Sequence, residues 1–446
     1  MVVQYTNSQK ESSASQAPSS SSTTKACSGE VSPVPQASLT PAQAAIVKST
    51  APLLKEHGEK ITTLFYRNMI GTHPELNNVF NRTSQATGAQ PRALAHAVFA
   101  YAAHIDDLGA LSSAVARMAD KHVSLGIQPE QYPIVGHHLI AAVAEVLGDA
   151  VTPEVAEAWT NAYNMLANIL INAEKGLYSS FKGWDDWRKF KIEKKIPESN
   201  EITSFYLVPS DGKPLPSYKP GQYVSLRLWI EELGCMQPRQ YSLSEDPAKT
   251  GGKYYRIGVK KEQGSAAGIP GLISNRLHEK FNVGDEVEIT HPCGLFHLDD
   301  QAPKDSPLVL ISAGVGITPM VSILNHVTNA GSTRPISWIH GARHAETQAF
   351  ASHVKSVVAK HPNVTSTVFR SHSVAKDDVK GVDYDHISRV DLAKLDHQKK
   401  LFLSDKTTGY YVCGPLDFMH DVQAYLIKAG VDESRIHMEV FNTGGV

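Results

Sequence analysis

The chain is predicted to fold as three units in series: an all-α domain, a small antiparallel β-barrel, and an α/β domain with a doubly wound parallel sheet. Apolar residues recur at helical spacing from Thr40 to Phe181. Short strand-like runs separated by Gly/Pro turns come next. From Pro307 onward, apolar strand-like runs alternate with helical stretches. The expected boundaries are 40–181, 186–301 and 306–446, after an extension over 1–39.

A length of 446 residues suits two or three cores. The extension is rich in Ser, Thr, Ala and Pro, as in Ser19 to Thr24, and buries too little apolar surface to offset its ordering entropy, so disorder is expected there. A mitochondrial presequence is the alternative, but the first arginine is Arg67, and Glu11 and Glu30 intrude. Lys plus Arg number 43 and Asp plus Glu 45, a net 43 − 45 = −2, which gives no electrostatic footprint for nucleic acid. No apolar run is long enough to span a bilayer, so no integral membrane segment is expected. Cys27, Cys235, Cys293 and Cys413 lack metal-site spacing, and so large a chain needs no disulfide framework. A cytoplasmic monomer is the expectation.

The helical unit opens at Thr40-Pro41, an N-cap followed by proline at the first helical position. Stripes run through Ala45, Val47, Ala51, Leu54; Ile61, Leu64, Phe65, Met69; Leu94, Val98, Tyr101; and Leu111, Val115, Met118 on a helix ending at Gly126. Two long helices, around 132–146 and 154–178, close it. Strands are expected at 204–208, 223–228 and 254–259, forming the barrel. Later, strands at 308–311 and 336–339 alternate with helices at 320–329 and 349–359.

The strand at 308–311 runs into Gly314-Val315-Gly316-Ile317-Thr318-Pro319 and then a helix. Glycines at such a turn let backbone approach a pyrophosphate at the helix N-terminus, although a glycine pair alone is more often just a tight turn. Cys413-Gly414-Pro415 ends another strand, and both motifs border one cleft if the sheet is open and parallel. In the barrel, Arg239-Gln240-Tyr241-Ser242 offers a phosphate-binding fork and a stacking ring, as does Tyr223 after Pro220-Gly221-Gln222. Singly, these read as a surface Arg beside half-buried tyrosines. Gly271 and Ser274 lead into a helix, a further phosphate site.

Together these motifs, in this order over roughly residues 190–446, resemble the ferredoxin-reductase family. The resemblance implies that R-x-Y-S grips FAD and that G-x-G-x-x-P and C-G-P grip NAD(P)H. The C-terminal segment Glu439, Val440, Phe441, Asn442, Thr443 corresponds to a flavin contact, with Asn442 and Thr443 departing from the family's Gly-Pro.

His122 continues the inward stripe of its helix, where a lone histidine is more often a satisfied core residue. Its surroundings change that reading. Ala119-Asp120-Lys121-His122-Val123-Ser124, Leu64-Phe65-Tyr66, Val79-Phe80-Asn81, Gln90-Pro91-Arg92-Ala93-Leu94, and Trp159, Tyr163 and Glu174 resemble the flavohaemoglobins from about residue 40 to the C-terminus. The resemblance implies a globin holding haem b, with His122 as the iron ligand and Tyr132 and Glu174 as its hydrogen-bonded relay. It implies Tyr66 and Gln90 as polar distal groups, Leu94 crowding the ligand and Phe80 wedging the haem. Lys121 and Glu439 would bias the haem and flavin potentials. The implied activity is nitric oxide dioxygenation, with nitric oxide and oxygen as substrates and electrons passing from NAD(P)H through FAD to haem. A haem-based sensor whose reductase keeps iron ferrous is the alternative, though nothing like an output module follows. His340-Gly341-Ala342-Arg343 has no acidic residue for a ribose hydroxyl, while Arg343 suits a 2′-phosphate, so NADPH is favoured.

Overall fold

The computed structural model describes residues 34–36, 38–264 and 270–441. The extension's residues 1–33 and 37 lie outside these, as do Asn442 and Thr443.

Helix α1 (Pro41–Ser49) begins at a reciprocal cap. The Thr40 hydroxyl accepts from Gln43 N–H at 3.2 Å, while the Gln43 side chain accepts from Thr40 N–H at 3.1 Å. Then follow α2 (Ala51–Thr72), α3 (Arg82–Ala86), α4 (Ala89–Ala103), α5 (Ser112–Val123), α6 (Gln131–Leu147) and α7 (Pro153–Ser180). The apolar stripe of α2, with Leu54, Ile61, Phe65 and Met69, packs with Leu139 and Val143 of α6 and Trp159 of α7. Gly58 lets α2 approach α4, since a Cβ there would lie 3.1 Å from that of Ala95. Helix α5 is shorter than its stripe suggests. Leu111 closes a 3₁₀ turn before it, and the helix stops at Val123, with Gly126 (φ 74°) in the turn beyond.

The second unit contains β1 (Arg188–Pro197), β2 (Ile202–Pro209), β3 (Tyr223–Ile230), β4 (Cys235–Ser242), α8 (Pro247–Thr250), β5 (Tyr255–Lys260), α9 (Leu272–Glu279) and β6 (Glu286–Ile289). All strand pairs are antiparallel in the order β4-β3-β6-β1-β2-β5, and a bridge from Leu243 to Ile257 joins the two edges into a barrel. Strands β1 and β6 were not anticipated. Lysines dominate the exposed face of β1, yet Phe190 and Ile192 alternate inward with 0% and 1% exposure, which is the period of a half-buried strand.

The third unit runs β7 (Leu308–Ala313), α10 (Ile317–Asn329), β8 (Ile336–Ala342), α11 (Ala351–Lys360), β9 (Val364–Arg370), β10 (Gly409–Cys413), α12 (Leu416–Lys428) and β11 (Ile436–Glu439). Every pair is parallel, in the order β11-β10-β7-β8-β9. The winding direction reverses between β7 and β10, the place where an open sheet leaves a ligand crevice. Ile202, Phe296 and Leu298 of the barrel join the core under α10, so the last two units share apolar packing. The three-part fold class is therefore the one expected. Among the described residues, no helix is long and apolar enough to cross a membrane.

Candidate functional site

Three helices bring together a relay that is dispersed in sequence. His122 on α5, Tyr132 on α6 and Glu174 on α7 converge on one carboxylate oxygen. Glu174 Oε1 accepts from Tyr132 O–H at 2.5 Å and lies 2.7 Å from His122 Nδ1, which is also 3.0 Å from the Tyr132 oxygen. A carboxylate only accepts, so Nδ1 carries the ring proton and Nε2 keeps its lone pair. Burial first, and then the charge of Glu174, push the Tyr132 phenol far above its ordinary pKa, so it remains a donor. Glu174 is 2% exposed, and its buried Oε2 has no hydrogen-bond partner among the described residues. The carboxylate thus meets its two donors, the imidazole and the Tyr132 hydroxyl, through one oxygen. Tyr163 supports the arrangement by donating to the Tyr132 carbonyl at 2.6 Å. Its ring passes so close to α6 that a Cβ on Gly136 would sit 2.5 Å away.

Tyr66 on α2 is buried and accepts from Gln90 Nε2 of α4 at 3.2 Å. Its ring meets Phe80 edge-on at 5.3 Å between centroids. Burial pushes the phenol up to about 12, against a small lowering by Gln90, so it stays a proton donor at neutral pH. Leu64, Phe80, Leu94, Val98 and Met118 are only half-buried although they flank the helical core. An imidazole with a free Nε2 and a rim of half-covered apolar side chains fit a haem ligated by His122.

Strand β4 ties the barrel to the segment before α4. Gln237 of β4 donates to the Asn77 carbonyl at 2.9 Å and accepts from Arg82 N–H at 3.0 Å. Arg239 donates to Thr83 Oγ1 at 3.3 Å. Lys121 and Glu439 are not in direct contact, yet each is shaped by the other. Burial lowers Lys121 to about 8 and raises Glu439 to about 8, and in both cases the opposite charge is the next cause and opposes the shift.

On the barrel, Arg239, Gln240, Tyr241 and Ser242 lie along β4 beside Tyr223 of β3. Burial lowers the Arg239 pKa, and among the described residues no carboxylate pairs with it. Ser242 Oγ is buried without a hydrogen-bond partner among the described residues, and Gln240 donates to Ser225 Oγ at 3.0 Å. A half-buried guanidinium lacking an anion, beside an orphaned hydroxyl and two tyrosine rings, fits a flavin with its phosphates. Gly271 is the residue before α9, and a Cβ there would overlap Ser274 Oγ. Phe441 is 45% exposed, leaving a ring face free for a planar group.

The two glycine motifs meet at the reversal of the sheet. Gly314 takes φ 55° in the 3₁₀ turn Gly314–Gly316, which feeds Ile317, Thr318 and Pro319 into α10; no side chain caps that helix. Ser312 and Cys413 are register partners, so Cys413, Gly414 and Pro415 adjoin this turn. A Cβ on Gly316 would overlap the Cys413 carbonyl oxygen and lie 2.8 Å from the Gly414 nitrogen. Gly316→Ala is therefore expected to separate the two motifs and raise the KM for NAD(P)H about tenfold, or ~1.4 kcal/mol of binding, in steady-state assays. An unchanged KM would remove the motif from the coenzyme site. The Arg343 guanidinium, half-exposed, is ion-paired with Glu201 in the turn between β1 and β2. Nothing near Arg343 in sequence announces that partner, 142 residues away.

Residues 63–170 match the family described as Globin, and residues 310–424 match the Oxidoreductase NAD-binding domain. The flavohemoprotein of Bordetella pertussis is 50% identical over 412 residues, covering 92% of this chain and 100% of that protein. That of Rhizobium meliloti is 44% identical and covers 89% of this chain and 96% of its own length. Among solved structures, the flavohemoglobin of Malassezia yamatoensis with bound FAD and heme is similar at a TM-score of 0.78 and 28% identity, covering 91% of this chain and 100% of that one. Such identity along whole relatives, on a fold that joins a globin-type bundle to a flavin and nucleotide module, shows that the chain belongs to the flavohaemoprotein family.

Proposed function

We propose that this oxidoreductase is an NAD(P)H-dependent nitric oxide dioxygenase that detoxifies nitric oxide, working as a cytoplasmic monomer with haem b and FAD. When bound, haem supplies the iron at which nitric oxide and oxygen combine to nitrate, and FAD divides the hydride of NAD(P)H into single electrons. His122 would hold the iron through Nε2, oriented by Glu174 and Tyr132. The convergence of those two partners on the ligand carries the reading. A buried carboxylate 2.7 Å from Nδ1 makes the imidazole a strong donor, which suits oxygen activation better than reversible storage or sensing. Tyr66, a protonated phenol that accepts from Gln90, would donate a hydrogen bond to the substrate oxygen, and Leu94 and Phe80 would supply the apolar wall beside it. Arg239, Tyr241, Ser242 and Tyr223 would grip the flavin, and the paired glycine turns would hold the coenzyme.

Purified holoprotein given nitric oxide, oxygen and NADPH is expected to form twice as much nitrate as it consumes NADPH, since each hydride carries an electron pair. A stable oxygenated spectrum without nitric oxide-dependent NADPH oxidation would favour the sensor instead. Coenzyme choice has its own test. Glu201→Gln releases Arg343, so the kcat/KM ratio of NADPH to NADH is expected to rise about tenfold, the worth of one charge-assisted hydrogen bond of roughly 1.5 kcal/mol. An unchanged ratio would show that Arg343 meets no 2′-phosphate.

A further inference from the structure

Asp120 stands between the residues assigned to haem and those assigned to flavin, and belongs to neither set. It lies one residue before Lys121 and two before His122, near the end of α5. The buried positions of that helix are Ala119, Asp120 and Val123, so a carboxylate occupies a site where an apolar side chain is the ordinary choice. The residue is 9% exposed, and both of its oxygens are satisfied from the barrel rather than from the helical bundle. Oδ1 accepts the Gly294 N–H at 2.9 Å, and Oδ2 accepts the Tyr223 O–H at 3.0 Å.

Those two donors form a rigid platform. Tyr223 and Cys293 exchange both backbone hydrogen bonds, each 2.8 Å. Gly294, at φ 121°, lies against the Tyr223 ring, where a Cβ would come within 3.0 Å of it. The ring is also 5.8 Å from Lys121 Nζ. A buried carboxylate is costly unless fully hydrogen-bonded, so the position of Asp120 makes sense only with the barrel in this place. The Gln237 and Arg239 contacts secure the segment before α4, not the helix that bears His122.

We propose that Asp120 is a positioning residue for electron transfer between flavin and haem: it clamps α5, and with it His122, to the Tyr223–Gly294 platform, holding the two redox groups at one separation. The inference rests on the electron route given under Proposed function. It is tested on holoenzyme by anaerobic rapid mixing with NADPH, following flavin and haem reduction separately, and by hydrogen exchange of the segment around Gly294. Asp120→Leu is expected to leave haem content unchanged, to slow flavin reduction far less than haem reduction, and to speed exchange at Gly294. Haem reduction should slow on the order of tenfold or more, the scale at which small misplacements act. Asp120→Asn, which can still accept from Gly294 and can donate to Tyr223, should stay near the wild-type rate. Wild-type haem reduction in Asp120→Leu, loss of its haem, or equal slowing in Asp120→Asn would each overturn the clamp. Wild-type enzyme that passes no electron from flavin to haem would instead overturn the proposed function, and this inference with it.

Discussion

Tyr66→Phe is expected to lower nitric oxide turnover on the order of 10²-fold, the usual consequence of deleting one pre-aimed donor from a buried site. The substitution removes only the hydroxyl. Phe65 and Phe80 still pack against the ring at 4.7 and 5.3 Å between centroids, so haem content should not change. In the variant the Gln90 amide loses its acceptor, the phenol oxygen 3.2 Å away. With its pKa pushed up to about 12, Tyr66 offers its proton throughout the neutral range, so the defect should be nearly constant from mildly acidic to mildly basic pH. Nitric oxide consumption per haem, measured across that range, checks both points. Turnover equal to wild type would eliminate Tyr66 as the distal donor.

Glu174→Gln is expected to cost about 10- to 100-fold in oxygen-dependent turnover, the range found when the partner of a metal-bound histidine is altered. Glutamine can still accept from Nδ1 and from Tyr132, so the ring should stay in place while the negative charge is gone. The effect therefore isolates electron donation from orientation. Buried Oε2 gains an N–H₂ in its stead with no acceptor prepared for it, so some loss of thermal stability is expected as well. The discriminating measurement is the haem reduction potential, which should rise because ferric iron loses the supporting charge. A potential equal to wild type, with slow turnover, would assign Glu174 a purely structural part.

Some of this site is legible in the sequence and some is not, for reasons that differ by residue. The turn Gly314–Gly316 is written locally: strand, glycines and helix follow one another within a few residues. His122 is visible as an inward position of a helix, but its role emerged only from a resemblance spanning the bundle. Asp120 drew no attention, although a carboxylate at a buried helical position was a readable signal. Strand β1 was hidden by its lysines, which the barrel leaves in solvent while burying Phe190 and Ile192.

By itself the sequence determined the three units and their order, and it marked the glycine-bearing strand-to-helix turns, because periodicity and turn chemistry act over a few residues. The tertiary structure decided which distant groups meet. Glu174 reaches His122 across 52 residues, Tyr223 reaches Asp120 across 103, and Glu201 takes Arg343 across 142. A hydrogen bond needs its partners within about 3 Å. No local pattern reports that proximity when the chain between them must first form helices, a barrel and a sheet.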